Sequence, residues 1–319
     1  MKINRVLICG NDPISYVYAN KLLNTLNYVT ILTDYRRAQY LETQGLKYCE
    51  DKKIHNDKIK IITELKEDDI FDIIVVTYKD EELNNLINSL IRNKSQLIIF
   101  SGLRTNAEIL EKEILATSSI KKEILFSNLN VRAIFENGGV KNVISSKKIL
   151  IGRAYGEVSD YSKDVIEQTF NDTGISVEYE EKMDAYLKYM TALMIPIYAA
   201  CCKFRGKIEL IDKYTTWMAL AAMDEACLAL QKICIPETPD KVLKLVREKT
   251  KIIFYLYLRY LRKNKKCKKW IRYELKNNIE DIIKLDANFR KVVGDVMPLK
   301  NWRCMEKFLL DYKERINNK

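Results

Sequence analysis

The chain has 319 residues, of which 47% are hydrophobic and 30% charged, and its 54 lysines and arginines outnumber 43 aspartates and glutamates for a net charge of +11. This composition is that of an ordinary globular protein long enough for two domains, and its longest mostly apolar run, Tyr189 to Cys202, is too short for a bilayer and holds Pro196. Eight cysteines without a C-x-x-C spacing and a single histidine, His55, set among Lys52, Lys53, Asn56 and Asp57, argue against a zinc site, a redox dithiol or a multi-histidine metal centre.

Met1 to Arg5 leads into an apolar strand rather than a leader's apolar stretch, so a cytoplasmic protein without a membrane segment is expected. Val6 to Cys9 reads as a buried strand, Gly10-Asn11-Asp12-Pro13 as a turn, and Ile14, Val17, Tyr18 and Leu22 as one face of a helix. A strand, tight turn and helix of this kind opens a nucleotide-binding doubly wound sheet, with the helix N-terminus turned to a pyrophosphate. The G-x-G-x-x-G pattern falls on Gly10, Asp12 and Ser15, so one glycine of three is present. Asp12 adds bulk and a like charge where phosphate approaches; Ser15 is small enough for close helix packing.

Val29 to Leu32 is the second strand, followed by Asp34, Arg36 and Arg37. A carboxylate at this point suits the ribose diol of NAD and an arginine the 2′-phosphate of NADP, so the residues leave the choice open. A short helix from Ala38 closes at Gly45, and His55 falls in a solvated loop. Strands follow at Lys58–Ile62, Asp72–Thr77 (with Lys79 beyond), Gln96–Phe100 (ending in Ser101-Gly102-Leu103), Ile124–Phe126, Asn142–Ser146, Ile149–Gly152 and Ser176–Tyr179. Helices are read at Glu81–Arg92, Asn106–Leu115 and Tyr161–Asp172. From Met183 onward helical periodicity dominates, with helices near Ala185–Phe204, Tyr214–Ile233, Lys241–Lys263, Cys267–Val293 and Lys300–Arg315. The expected fold class is α/β, an N-terminal Rossmann-type doubly wound sheet over residues 1–180 followed by an all-helical domain over 181–319, with the ligand cleft between them. Ligands are expected at the carboxyl ends of the strands, near Gly10, Asp34, Lys79 and Ser101. The basic run Arg259, Arg262, Lys263, Lys265, Lys266, Lys268, Lys269 and Arg272 reads as a solvated turn between helices rather than a nucleic-acid patch, since no nucleic-acid module accompanies it.

The layout resembles the ketopantoate reductase (2-dehydropantoate 2-reductase) family as a divergent member. The similarity lies in Arg5–Leu23, in Val29 through Leu46, in Asp72–Lys79, in Phe100-Ser101-Gly102-Leu103 against the family's Asn-Gly turn, and in Lys141–Gly152 against a later hairpin. It implies NAD(P)H-dependent reduction of a small 2-keto acid, a place in pantothenate biosynthesis and compatibility with a homodimer. It further implies that Lys188 is the general acid and that Glu280 holds the substrate, while Gly10, Asn11, Asp12, Ser15, Asp34, Arg36, Arg37, Lys79, Ser101 and Gly102 line the cofactor site. NADP(H) is the family's cofactor; Asp34 at the place of the family's arginine keeps NAD(H) open. The family's asparagine one turn after the lysine is Ala192 here, and its cofactor-side asparagine is Ser101. The alternative is a catalytically impaired relative that acts as a dinucleotide-binding or interaction protein.

Overall fold

The computed structural model describes residues 3–50, 53–129, 131–136, 138–144, 147–239, 244 and 251–318. They form two compact units, Met1–Gly102 with Ala107–Met183, and Leu103–Asn106 with Asp184–Lys319. The first holds strands β1 (Arg5–Cys9), β2 (Tyr28–Leu32), β3 (Leu46–Glu50), β4 (Lys53–Asp57), β5 (Lys60–Ile62), β6 (Ile73–Val76), β7 (Leu97–Ser101), β8 (Glu123–Leu129), β9 (Arg132–Glu136), β10 (Gly139–Ile144), β11 (Lys148–Gly152) and β12 (Ser176–Tyr179). Its helices are α1 (Pro13–Leu23), α2 (Tyr35–Gln44), α3 (Asp80–Arg92), α4 (Ala107–Thr117) and α5 (Asp160–Phe170).

Eight strands make the main sheet in the order β12-β11-β8-β7-β6-β1-β2-β5. β1 pairs in parallel with β2 on one side and β6 on the other, Val6 lying opposite Val29 and Ile73. The chain therefore winds outward from β1 in one direction, then returns to continue in the other, which sets a topological switch point between β1 and β6. β1, β6 and β7 are covered on both faces, so their sequences are continuous apolar runs, with Val6 to Cys9 and Ile73 to Val76 at most 1% exposed. β11 reverses the direction, pairing antiparallel with β8 and parallel with β12.

A second sheet, of four strands in the order β4-β3-β10-β9, corrects the sequence-based reading in two places. His55 lies not in a loop but in β4, exposed and paired with Tyr48 of β3. Lys141–Gly152 is not a hairpin: β10 pairs with β9 and β3, whereas β11 belongs to the main sheet. Ser145 and Ser146, expected to end a strand, lie outside the described residues. The small sheet turns Leu46, Tyr48, Ala133 and Val140 inward, into the same core as Tyr16, Val17 and Leu22 of α1. α1 is thereby enclosed, with Tyr16 through Asn20 all buried. An enclosed helix needs no polar face, which is why α1 carries little amphipathic contrast.

The second unit holds α6 (Met183–Lys203), α7 (Lys213–Lys232), α8 (Lys251–Leu261), α9 (Lys265–Asn277), α10 (Ile279–Val293) and α11 (Lys300–Asn317). Of the expected helix over 241–263, residues 241–243 and 245–250 lie outside the described residues. The single helix expected over Cys267–Val293 is two, broken at Asn278, whose φ of −126° leaves the helical region between α9 and α10. α6 is long and apolar enough to cross a bilayer, but 78% of its apolar window is buried, the pattern of a core helix. Phe289 and Trp302 stack at 4.7 Å between ring centroids, and the Trp302 indole donates to the buried Asp286 carboxylate at 2.7 Å. The start of α11 has no side-chain cap of its own. Glu225 supplies one, accepting from the amides of Asn301 at 2.8 Å and Trp302 at 3.1 Å. On the basic run, Asn264 caps α9 and Arg272 pairs with Glu209, while Cys267 and Trp270 are buried on the opposite face. That is the amphipathic pattern of a solvated helix.

Glu123 offers a check on the first unit. Its carboxylate accepts from the Ser159 amide at 2.9 Å and the Ser162 hydroxyl at 2.6 Å, as well as from the Ser159 hydroxyl, at the start of α5. Burial pushes its pKa up, but these bonds and the Arg153 charge outweigh it and hold the group below the usual glutamate value. Glu123→Ala should lose about 1–3 kcal/mol at neutral pH in denaturant unfolding. Because the folded pKa is lowered, the wild-type advantage is present above the unfolded value and should fade as pH falls through the folded one.

Candidate functional site

In sheet order, the parallel strands β7, β6, β1 and β2 end in Ser101-Gly102, Thr77-Tyr78-Lys79, Gly10-Asn11-Asp12 and Thr33-Asp34. Gly10 is required where it stands: a Cβ there would come 1.9 Å from Thr77 Oγ1. Asp12 is the N-cap of α1, with its Oδ1 accepting from the Ser15 amide at 2.9 Å. The same oxygen accepts from Thr77 Oγ1 at 2.9 Å, so this carboxylate bridges β1 to β6 across the switch point. Ser15 is fully buried and its hydroxyl donates to the Asp12 carbonyl at 2.6 Å. Asp34 caps α2 in the same way, accepting from the Arg37 amide at 2.9 Å and from Asn11 Nδ2 at 2.8 Å. Asn11 also accepts from the Thr33 hydroxyl. Asp12, Ser15 and Thr77 thus form one hydrogen-bonded group and Asn11, Thr33 and Asp34 another, while the Gly10 amide donates to the Leu32 carbonyl at 3.2 Å.

The two arginines after β2 part company. The Arg37 guanidinium lies 4.6 Å from the Phe135 ring, 4.9 Å from Tyr16 and 5.0 Å from Tyr40, and it donates to the Tyr16 hydroxyl. It is a packing cation between α2, α1 and the small sheet. Arg36 is exposed. Lys79 stands half-buried at the N-cap of α3, and Ser101 is buried with its hydroxyl 3.0 Å from that of Tyr18. Burial pushes the Tyr18 pKa up to about 12, against bonds to Ser101 and Ser127, so the phenol stays neutral. Gly102 has φ +114°, a conformation open to glycine, and its amide donates to Ser127 at 3.0 Å.

For a dinucleotide, Gly10 gives the close backbone approach, and each Asp34 oxygen keeps lone-pair capacity for a ribose diol. These residues fit the group. The Asp12 carboxylate would repel a diphosphate brought to the start of α1.

In the helical unit, Lys188 lies one turn into α6 and its Nζ pairs with the Asp184 carboxylate. The Asp184 side chain is fully buried and that of Lys188 is 9% exposed. Thr191 turns its hydroxyl back to the Leu187 carbonyl at 2.8 Å, and Ala192 is fully buried. Glu280 is elsewhere in character: it opens α10, its side chain is 61% exposed, and it pairs with Lys313 at 3.1 Å. Asp184 escaped the sequence reading although its i,i+4 spacing to Lys188 was a visible signal. Thr77 carried none, because its role depends on β6 lying beside β1.

Neither a family model nor a curated protein matches the chain. Solved structures do. A ternary structure of D-mandelate dehydrogenase with NADH and anilino(oxo)acetate superposes with a TM-score of 0.74 at 12% identity, covering 98% of this chain and 99% of the other. A ketopantoate reductase from Ralstonia eutropha JMP134 gives 0.68 at 13% identity, covering 98% and 99%. A dimeric ketopantoate reductase from Staphylococcus aureus gives 0.64 at 11% identity over the same shares. The fold is that of the ketopantoate reductases. At these identities the likeness establishes architecture over the full length and leaves the reaction to be argued from the residues.

The buried Lys188–Asp184 pair makes a stability prediction. Lys188→Met strands a buried carboxylate and should cost about 3–5 kcal/mol in thermal or urea unfolding. Lys188→Met with Asp184→Leu removes both charges and should recover most of that loss.

Proposed function

We propose that the chain is an oxidoreductase of the ketopantoate reductase kind, reducing a small 2-keto acid with NAD(P)H. The observation that carries this is the buried Lys188–Asp184 pair at the opening of α6, in a fold shared from end to end with dinucleotide-dependent oxidoreductases. Gly10 and Asn11 would hold the cofactor's backbone side, Asp34 its ribose, and Lys79, Ser101 and Gly102 the tips toward β7. The reduced nicotinamide supplies hydride when bound. Lys188 supplies the rest: its Nζ carries a proton to the oxygen that gains negative charge, and the ammonium stabilises that charge before the transfer. Asp184 is a positioning residue that fixes the lysine's direction along α6. Ala192 offers no second donor one turn on, so the substrate oxygen relies on Lys188 alone at this face. Glu280 is left out of the machinery, since its carboxylate is engaged with Lys313 at the surface. NAD(H) is favoured over NADP(H), because a carboxylate at Asp34 would suit a ribose diol and Arg37 is committed to three aromatic rings. We include a homodimer, after the Staphylococcus aureus enzyme, and a cytoplasmic place in pantothenate biosynthesis if ketopantoate is the substrate.

The second reading, a relative that binds ligands without turnover, is favoured by Asp12 at the phosphate turn. One assay separates the two. Full-length protein with NADH or NADPH and a panel of 2-keto acids including ketopantoate should consume the reduced cofactor. The double variant Lys188→Met/Asp184→Leu should remain folded and lose at least a hundredfold in turnover, while Lys188→Arg, which keeps the charge, should be impaired without unfolding. Cofactor binding with no consumption across the panel favours the second reading.

A further inference from the structure

The turn between β1 and α1 does more than depart from a glycine pattern. Oδ1 of Asp12 takes the Ser15 amide, the third of the helix's first-turn donors, and the Thr77 hydroxyl from the neighbouring strand end, each at 2.9 Å. Pro13, the first residue of α1, has no amide to give. Of the three first-turn amides that would face an anion at this helix end, one is missing and one is already bonded. The dipole that would attract a phosphate faces a carboxylate of the chain's own.

Capping alone does not demand this. Asparagine or serine caps a helix about as well as aspartate and without a charge. The bond to Thr77 sets Asp12 apart from an ordinary cap, because it reaches a residue 65 positions away and spans the crevice at the switch point. A ligand diphosphate entering there would have to displace the carboxylate and bear its repulsion.

We propose that Asp12 is an internal anion that occupies the diphosphate position and holds dinucleotide affinity low. This rests on the proposal that the strand ends carry a nicotinamide dinucleotide. It assigns Asp12 the regulation of that same site: the carboxylate competes with the diphosphate, whereas the ribose contact at Asp34 is untouched.

The test is equilibrium binding of NADH, NADPH and adenosine to the full-length wild type, Asp12→Asn and Asp12→Gly, followed by calorimetry or by quenching of protein fluorescence. Asp12→Asn keeps a capping oxygen and a partner for Thr77, so its thermal midpoint should stay within a few degrees of wild type and show that it folds. Expected is weak NADH binding by the wild type, tightened at least tenfold in both variants, with adenosine, which lacks the diphosphate, changing less than twofold. Micromolar NADH binding by the wild type that Asp12→Asn leaves within twofold overturns the inference and leaves the dinucleotide assignment standing. If adenosine tightens as much as NADH, the effect is a general loosening and the inference also fails. If none of the three proteins binds either dinucleotide, the assignment itself falls and takes the inference with it.

Discussion

Parallel pairing of β1 with β2 on one side and β6 on the other is the constraint from which the first unit's chemistry follows. Both faces of β1 are dry, so every backbone group must be met within the sheet, and the registers leave no freedom to slide. The reversal of winding beside β1 then brings two strand ends together that are distant in sequence. Gly10 meets Thr77 there, at a distance that admits no side chain on the glycine. The turn is consequently fixed in shape by the sheet beneath it.

The helical unit is organised by paired or bonded charges in its interior. Lys188 with Asp184 opens α6; Asp286 joins α10 to the Trp302 indole and to Arg290 at 3.1 Å; Glu225 holds the first amides of α11. Burial pushes the Asp286 pKa up, against the bonds from Arg290 and Trp302. Such groups contribute little to net stability when intact and cost several kcal/mol when one partner is lost, so they act mainly to select one packing of the helices.

How much of this could be read from the sequence varied with how each element is buried. The two-faced strands announced themselves as unbroken apolar runs, and α2 showed its end at Gly45, which adopts φ +68°. Of the small sheet only part of β10 was read, within the strand expected over Asn142–Ser146; β3 stayed hidden because only alternate residues, Leu46 and Tyr48, face inward from a lysine-rich stretch that looks solvated. The break at Asn278 has neither proline nor glycine to mark it, so one long periodic pattern concealed two helices. Among the candidate site residues, Lys188 was legible as a lysine on an apolar helix and Gly10 to Asp12 as the turn between a strand and a helix. Arg37 was legible as an arginine but not as the centre of an aromatic box, because Phe135 belongs to β9, a strand that sequence periodicity missed.

The enclosure of α1 between two sheets has a consequence for how this protein can diversify. A helix wetted along one side can roll or slide a little as its outer residues are exchanged, carrying the preceding loop with it. α1 has only Ile14, Lys21 and Leu23 partly exposed, and neither its axis nor its starting point can drift without breaking two interfaces at once. Substitutions at that loop therefore exchange individual atoms on a stationary frame, as in a lock whose barrel is fixed and whose pins alone are recut.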